Sequence, residues 1–356
     1  MTEVLGRTRD EGISGHLGHY RARDGSAGAP VRIDFDGPHV SLVVGKRGYG
    51  KSYTLGVLVE ELADAKGVAP VVADPMGAFT TFGGVSGFEV VSEPRVSADA
   101  LPPRAWCDLL GLDHERPTGS LVWRAATESN TLAGMNDFVS NAEANSATCR
   151  AARNHLALAE SWDIFSPDGL TAEQCVEPES GIVLDCSGYD ESAMNAVVRA
   201  VAEDLYRVRI AESVRKLPWL VVDEAHAFFG GVAAPALRTI VTRGRRPGVS
   251  LVAATQRPAV LPEVAVSQSD LLVAHRLTSR NDRDALANAR PAYMQGSFTD
   301  RMPETPGSAV VVDDATESVH AVRIRKRRVE HGGGSPSASN VCSGETNSPV
   351  TELRKG

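Results

Sequence analysis

The sequence has few aromatic residues and lysines, no paired cysteines and no long apolar run. Its five cysteines, an odd number, include no C-x-x-C pair, which argues against a zinc ribbon or a disulfide framework and favours a reducing compartment. No apolar run reaches the ~18 residues of a membrane-spanning helix, and residues 1–20 mix charge with glycine instead of forming an apolar signal region. We therefore predict a cytoplasmic protein with no membrane partner.

The charge balance limits the kind of surface that the chain can present. Acidic residues outnumber basic ones, 45 to 37, and the formal net charge is −8. A uniformly basic nucleic-acid-binding surface is therefore not expected, and any contact with DNA must be local. Apolar residues make up 42% and charged residues 23%, which is typical of a chain that buries a core.

Short apolar runs alternate with amphipathic segments along most of the chain. The runs predict buried strands, and their alternation with helices predicts an α/β fold with a mainly parallel sheet flanked by helices. The predicted strands are 31–36, 39–44, 68–73, 181–185, 219–222, 250–254 and 271–274, with a closing hairpin at 308–312 and 320–324.

Three segments differ from this pattern. Residues 1–30 are rich in glycine, arginine and aspartate and predict an irregular lead-in. Short amphipathic helices at about 95–178 predict a helical insertion within one domain over 31–330. Residues 331–356 have a composition that cannot bury a core, which predicts a disordered tail.

A glycine-rich loop between a predicted strand and a predicted helix matches the Walker A pattern G-x-x-x-x-G-K-[ST]. Backbone N–H groups of such a loop and the N-terminus of the following helix bind phosphate. Lys51 is expected to reach the β- and γ-phosphates of ATP, and the Ser52 hydroxyl to bind Mg²⁺. The predicted ATP-binding residues are Gly45, Lys46, Arg47, Gly48, Tyr49, Gly50, Lys51, Ser52 and Tyr53.

The strand at 219–222 ends in two adjacent carboxylates, which is a Walker B pattern. Asp223 is predicted to hold Mg²⁺, and Glu224 to orient the attacking water. Kinases that phosphorylate small molecules need no such water, so Glu224 favours an ATPase. For this pair alone, a strand that ends in solvated charges is the alternative.

Two further polar elements are candidates for catalysis. Gln256 follows the strand at 250–254 and is a candidate sensor of the γ-phosphate, with a simple strand-end turn as the alternative. Arg245 belongs to an arginine cluster and is a candidate finger for the γ-phosphate of a neighbouring subunit. A solvated basic loop is the alternative for that cluster.

The order of these segments resembles the HerA/FtsK superfamily of hexameric DNA-translocating ATPases, and most closely its HerA-like members. The resemblance is carried by 39–44 leading into Walker A, by the Asp74-Pro75-Met76-Gly77-Ala78-Phe79 segment, by 181–188, and by 223–226 followed by 245–258. Two departures stand out. Ala78 replaces a glutamate that is usual in the family, and the family's N-terminal β-barrel is expected to be missing.

The resemblance implies a RecA-like P-loop NTPase core that uses ATP and Mg²⁺, a homohexameric ring with double-stranded DNA in its pore, and a NurA-like nuclease as a candidate partner. The predicted function is an ATP-hydrolysing motor that translocates or unwinds DNA during end processing, transfer or packaging. A nucleotide switch that regulates a partner without moving DNA is the alternative. A purely structural ring is disfavoured because the Walker residues are intact.

DNA contacts are expected on loops of the helical insertion, with Arg150 and Arg153 as candidates. The basic segment at 323–328 has two interpretations, a phosphate contact or the polar face of an edge strand.

Overall fold

Three strands begin within the described part of residues 1–30, so the irregular lead-in predicted for 1–30 is wrong. The structure, a computed structural model, describes residues 3–9, 11–22, 26–288 and 301–332. Its first strands are β1 (Glu3–Leu5), β2 (Ser14–Arg21) and β3 (Ala27–Asp34). Glycine permits close packing here: a Cβ added at Gly18 would lie 2.0 Å from the carbonyl oxygen of Arg323. The glycines that suggested an irregular segment are therefore the residues that allow these strands to pack closely.

Seven parallel strands follow, and six of them coincide with apolar runs of the sequence. Parallel strands covered on both faces favour continuous Val, Ile and Leu. The exception is the sixth strand of the chain, an edge strand in which Phe88 alone is buried. The seven are β4 (Val40–Val44), β5 (Val68–Asp74), β6 (Phe88–Ser92), β7 (Gly181–Asp185), β8 (Leu217–Val222), β9 (Ser250–Thr255) and β10 (Leu271–Ala274).

An antiparallel hairpin, β11 (Ser308–Asp313) and β12 (Ser318–Ile324), connects the parallel strands to the first three. Strand β11 pairs with β10, and β12 pairs with β2. The predicted hairpin is confirmed. Within the described residues the sheet has the order β1-β3-β2-β12-β11-β10-β4-β9-β8-β5-β7-β6, which is the mainly parallel α/β architecture that the sequence predicts.

Helices cover both faces of the sheet. No helix of the described ranges is long and apolar enough to cross a membrane. The α-helices are α1 (Lys51–Asp64), α2 (Pro103–Leu109), α3 (Pro117–Glu128), α4 (Leu132–Ser140), α5 (Ser146–Ser161), α6 (Ala172–Val176), α7 (Glu191–Ile210), α8 (His226–Phe229), α9 (Ala234–Arg243), α10 (Glu263–Ser267) and α11 (Arg280–Asn288). Helices α2 to α6 occupy the segment for which short helices are predicted. Of the predicted tail at 331–356, all but the first two residues lie outside the described residues.

The sheet separates two apolar cores. In β5, Val71 and Ala73 point to one core, and Val68 and Val72 point to the other. Helices α7 and α9 and the helical segment α2 to α6 pack on the first face. Helix α1 and strands β1 to β3 pack on the second. The helix that begins in the Walker A motif therefore packs both against the parallel strands and against the first strands of the chain, which belong to the same sheet.

The basic segment after β12 crosses the outer surface of α1. Arg325 places its guanidinium nitrogens 2.6 Å from Glu60 Oε2 and 2.7 Å from Glu61 Oε1. The backbone N–H of Arg328 donates to Glu60 Oε1 at 2.8 Å, and the buried Arg327 guanidinium lies 5.4 Å from the centre of the Phe82 ring. These arginines neutralise carboxylates of α1. Strand β12 lies between β11 and β2, so the edge-strand interpretation of 323–328 is wrong.

Candidate nucleotide-binding site

Three adjacent strands bring the predicted motifs to one edge of the sheet. Strand β9 pairs in parallel with β4 on one side and with β8 on the other. Parallel strands point the same way, so their carboxyl ends lie together, which is where ligands bind in open α/β sheets. Lys51 follows β4, Thr255 ends β9, and Asp223 and Glu224 follow β8. The fold therefore assembles Walker A, Walker B and the Gln256 segment at one place.

The Walker A loop has the backbone conformation that its glycines allow. Gly48 and Gly50 have φ angles of 79° and 108°, a region that residues with a Cβ rarely adopt. Helix α1 begins directly afterwards, so its unpaired N–H groups face the loop. Lys46 Nζ lies 4.5 Å from the centre of the Tyr49 ring, whereas the charges of Glu224 and Asp223 act on Lys51.

A buried histidine that sequence analysis missed supports this loop from behind. His275 directly follows β10, and its backbone N–H donates to the carbonyl of Val44 at 2.8 Å. A Cβ added at Gly45 would lie 2.6 Å from the Cβ of His275, so the loop packs closely against this residue. Its Nδ1–H donates to the Ser308 carbonyl at 2.9 Å, so Nε2 accepts from the Thr54 hydroxyl, also at 2.9 Å. Burial lowers the pKa of His275 to about 4, so this imidazole is neutral. The available signal was a histidine directly after a predicted buried strand.

The depressed pKa of His275 predicts a loss of stability in mild acid. Below its ordinary pKa of 6.5, the unfolded chain binds a proton that the folded chain excludes until the pH approaches 4. We expect wild type to lose roughly 2 kcal/mol more than His275→Gln between pH 7 and pH 5. Urea unfolding of both proteins at the two pH values measures this, and parallel losses would contradict it.

Lys51 and the two Walker B carboxylates form a buried charge cluster. Burial lowers the pKa of Lys51, and the carboxylates of Glu224 and Asp223 oppose that effect. Burial also raises the pKa of Glu224, and the neighbouring negative charge of Asp223 raises it further. Glu224 has a φ angle of 46°, and its backbone N–H donates to Asp223 Oδ1 at 2.8 Å.

Ser52 and Asp223 fit a magnesium ion. The Ser52 hydroxyl donates to Asp223 Oδ2 at 2.6 Å, so two hard oxygen ligands from Walker A and Walker B already lie together. Magnesium is usually held in proteins by one or two such groups together with phosphate oxygens and water. This contact joins residues that are far apart in the sequence, as the pairing of the two motifs predicts.

The remaining predicted ATP-site residues surround this cluster. Gln256 is half-buried and directly follows Thr255 at the tip of β9. Tyr53 accepts a hydrogen bond from the Arg327 backbone N–H at 2.7 Å, which engages its hydroxyl with the basic segment. Arg47 is exposed at the loop tip. The predicted cis residues thus lie on the loop, at the start of α1 and at the tip of β9, which are elements that meet at this edge of the sheet.

Arg245 lies elsewhere. It is exposed and lines a cavity of about 250 Å³ together with His39 and Asp270, which precede β4 and β10. That cavity is at the amino ends of the strands, opposite the Walker motifs. The structure therefore does not bring Arg245 to the nucleotide site of its own chain.

Arg150 and Arg153 are exposed, but they lie within helix α5 and not on loops, which corrects the expected placement. The stretch from Ser146 is continued by alanine and leucine and is capped by the Asn145 side chain, so it forms a regular helix.

Residues 16–205, more than half of the chain, match the family described as helicase HerA, central domain. The chain belongs to this family. A DNA double-strand break repair helicase HerA from Pyrococcus furiosus is 23% identical over 79% of the chain, and the match spans 64% of that protein's length. The predicted family and its class, the P-loop ATPases, are confirmed.

Solved structures agree on the fold. VirB4 of Thermoanaerobacter pseudethanolicus has a TM-score of 0.66 at 18% identity, over 91% of this chain and 99% of that one. The plasmid coupling protein TrwB, in complex with the non-hydrolysable ATP analogue ADPNP, has a TM-score of 0.65 at 16% identity, over 92% of both chains. The RecA-like P-loop core predicted from the sequence is confirmed at the level of the fold.

Proposed function

We propose that this chain is an ATP-hydrolysing motor that moves double-stranded DNA. The observation that carries the hydrolytic part is the Glu224 carboxylate, whose Oε2 is buried and has no hydrogen-bond partner among the described residues. Its pKa is raised by burial and by Asp223, so it is a stronger base than an ordinary glutamate. A carboxylate of this kind beside a phosphate loop suits the activation of water.

Each residue of the site has one role in this proposal. Lys51 binds the β- and γ-phosphates and compensates their charge. Ser52 and Asp223 hold Mg²⁺, which neutralises charge on the phosphate oxygens when it is bound. Glu224 orients a water molecule in line with the γ-phosphate and accepts its proton, and Gln256 contacts the γ-phosphate. The products are ADP and inorganic phosphate.

The DNA-moving part is supported by the family and by the position of Arg245. The HerA relative is named as a DNA repair helicase, and the chain spans about two thirds of its length. Arg245 lies at the edge of the sheet away from its own Walker motifs, so a finger role requires a second subunit. We therefore propose a homohexameric ring around DNA, with Arg150 and Arg153 as DNA contacts and a NurA-like nuclease as a candidate partner.

The test is the rate of ATP hydrolysis with and without duplex DNA, together with the solution mass in the presence of ATP. We expect DNA to stimulate hydrolysis and the mass to be that of a hexamer. A motor couples ATP hydrolysis to the movement of DNA, so DNA raises its rate of hydrolysis. A nucleotide switch hydrolyses ATP at the same rate with and without DNA. Hydrolysis that is indifferent to DNA would favour the switch, and a monomeric mass would remove the ring.

A double variant tests the proposed DNA contact. Arg150→Glu/Arg153→Glu should lose DNA stimulation and keep basal hydrolysis, because both side chains are exposed and far in sequence from the Walker residues. Arg116→Glu, another exposed arginine of the helical segment, is the matched control and should keep both.

A further inference from the structure

His226 places one ring nitrogen between two side chains at the carboxyl edge of the sheet. It begins α8, two residues after Glu224. Its Nδ1 lies 3.4 Å from Glu224 Oε2 and also 3.4 Å from the Thr255 hydroxyl oxygen. Glu224 follows β8 and Thr255 ends β9, so a single atom bridges the ends of two neighbouring strands.

The hydrogen-bonding capacity of these atoms permits two arrangements. The Thr255 oxygen already accepts from the Arg257 backbone N–H at 3.0 Å, so its own hydrogen can point at Nδ1. A neutral imidazole carries either a hydrogen or a lone pair on Nδ1, never both. If Nδ1 carries the hydrogen, it can donate to Glu224. If Nδ1 carries the lone pair, it accepts from Thr255 and offers Glu224 nothing.

The surroundings of His226 keep its imidazole neutral, and the buried carboxylate of Glu224 lacks a hydrogen-bond donor among the described residues. Burial lowers the pKa of His226, and the positive charges of Arg257 and Lys51 lower it further, against the negative charges of Asp223 and Glu191. Within the part of the chain that the structure describes, Glu224 Oε2 is buried without a hydrogen-bond partner. A buried carboxylate oxygen without a donor is costly, and His226 Nδ1 is the nitrogen poised beside it.

We propose that His226 is a positioning residue for Glu224 and fixes its carboxylate by donating a hydrogen bond from Nδ1–H. Because the Thr255 hydroxyl competes for the same nitrogen, the orientation of this carboxylate is coupled to the end of strand β9, which Gln256 follows. This role deepens the proposed hydrolytic function and rests on it. With Nδ1–H on Glu224, the carboxylate is fixed for water. With Nδ1 on Thr255, the carboxylate is free to leave its catalytic orientation, so a shift of the β9 tip changes the rate of hydrolysis.

Two substitutions at His226 test the role. His226→Ala removes the donor and should lower kcat about 10- to 100-fold while ATP affinity stays within about twofold, because one hydrogen bond to a charged group is lost without a phosphate contact. His226→Asn offers an amide N–H near the position of Nδ1 and should restore kcat to within about threefold of wild type. His114→Ala, a histidine on the helical segment, is the matched control. Failure of Asn to rescue, or a parallel loss of ATP affinity, would overturn the proposal.

A double-mutant cycle tests whether His226 acts through Glu224. In a Glu224→Gln background, His226→Ala should cause no further loss of kcat, because residues that act as a unit are not additive. Equal losses in both backgrounds would show an independent effect and refute the role. Thr255→Val removes the competing hydroxyl together with the acceptor of the Arg257 backbone N–H, so it should cost less kcat than His226→Ala does. A loss as large as that of His226→Ala would make Thr255 the group that His226 serves.

The outcomes separate this role from the hydrolytic assignment. If Glu224→Gln hydrolyses ATP at the wild-type rate, the proposed base is wrong and His226 loses its purpose. If Glu224→Gln is inactive and His226→Ala matches wild type, the base stands and the positioning role alone is refuted.

Discussion

Glu224→Gln is expected to bind ATP as tightly as wild type and to hydrolyse it at least about 10²-fold more slowly. The amide keeps the size of the side chain but cannot accept the proton of the attacking water. The Ser52 to Asp223 contact, at 2.6 Å, is left intact, so binding of the nucleotide and of Mg²⁺ should persist. Equilibrium binding of ATP and steady-state release of phosphate measure the two properties separately.

Glu128→Gln makes the same chemical change on the exposed surface of helix α3 and serves as the control. It should match wild type in both measurements. Wild-type turnover in Glu224→Gln would place the base on another residue, and a loss of ATP affinity as large as the loss of turnover would make Glu224 a binding group.

Lys51→Ala should reduce ATP affinity by at least about 10²-fold, because it removes several charge-assisted hydrogen bonds to phosphate oxygens. It also leaves Asp223 and Glu224 without the positive charge that opposes them. Two uncompensated carboxylates then face an anionic ligand, so the electrostatic loss exceeds that of a single contact. Titration calorimetry with ATP measures the affinity directly.

Lys66→Ala, at an exposed lysine just beyond α1, is the matched control for Lys51→Ala. It changes the net charge by the same amount and should bind ATP as wild type does. An affinity for Lys51→Ala within about twofold of wild type would refute the assignment of the phosphate loop, because Walker A function depends on this lysine.

The parallel part of the sheet was predictable because burial on both faces leaves a local signature. Strands β7 and β10 have the bounds that their apolar runs indicate. The edge strand β6 was not predictable in the same way, since one of its faces is open and its sequence, FEVVS, has only one buried residue. Strand β2 was missed for a different reason. Its glycines allow neighbours at the other end of the chain to approach closely, and nothing in the local sequence identifies those neighbours.

The same distinction between local and long-range features decides which parts of the candidate site were predictable. Walker A and Walker B are recognised from spacing within a few residues, and Lys51, Ser52, Asp223 and Glu224 come together as that spacing implies. The side-chain contacts of His275 join the residue after β10 to α1 and β11, so only the folded sheet reveals them.

The pairing of β2 with β12 has a consequence for the order of folding. Gly18 lies opposite Ile324, so roughly 300 residues are synthesised after β2 before its partner strand is complete. At about 5–20 residues per second, β2 waits on the order of 15–60 s for its partner. During that time β2 and β3 have only each other and β1, a small unit that is marginal in water and presents an open edge. Release of a chain that stops before residue 318 therefore exposes the edges of β2 and β11 together, so the continuity of the described sheet depends on β12, the strand that joins them.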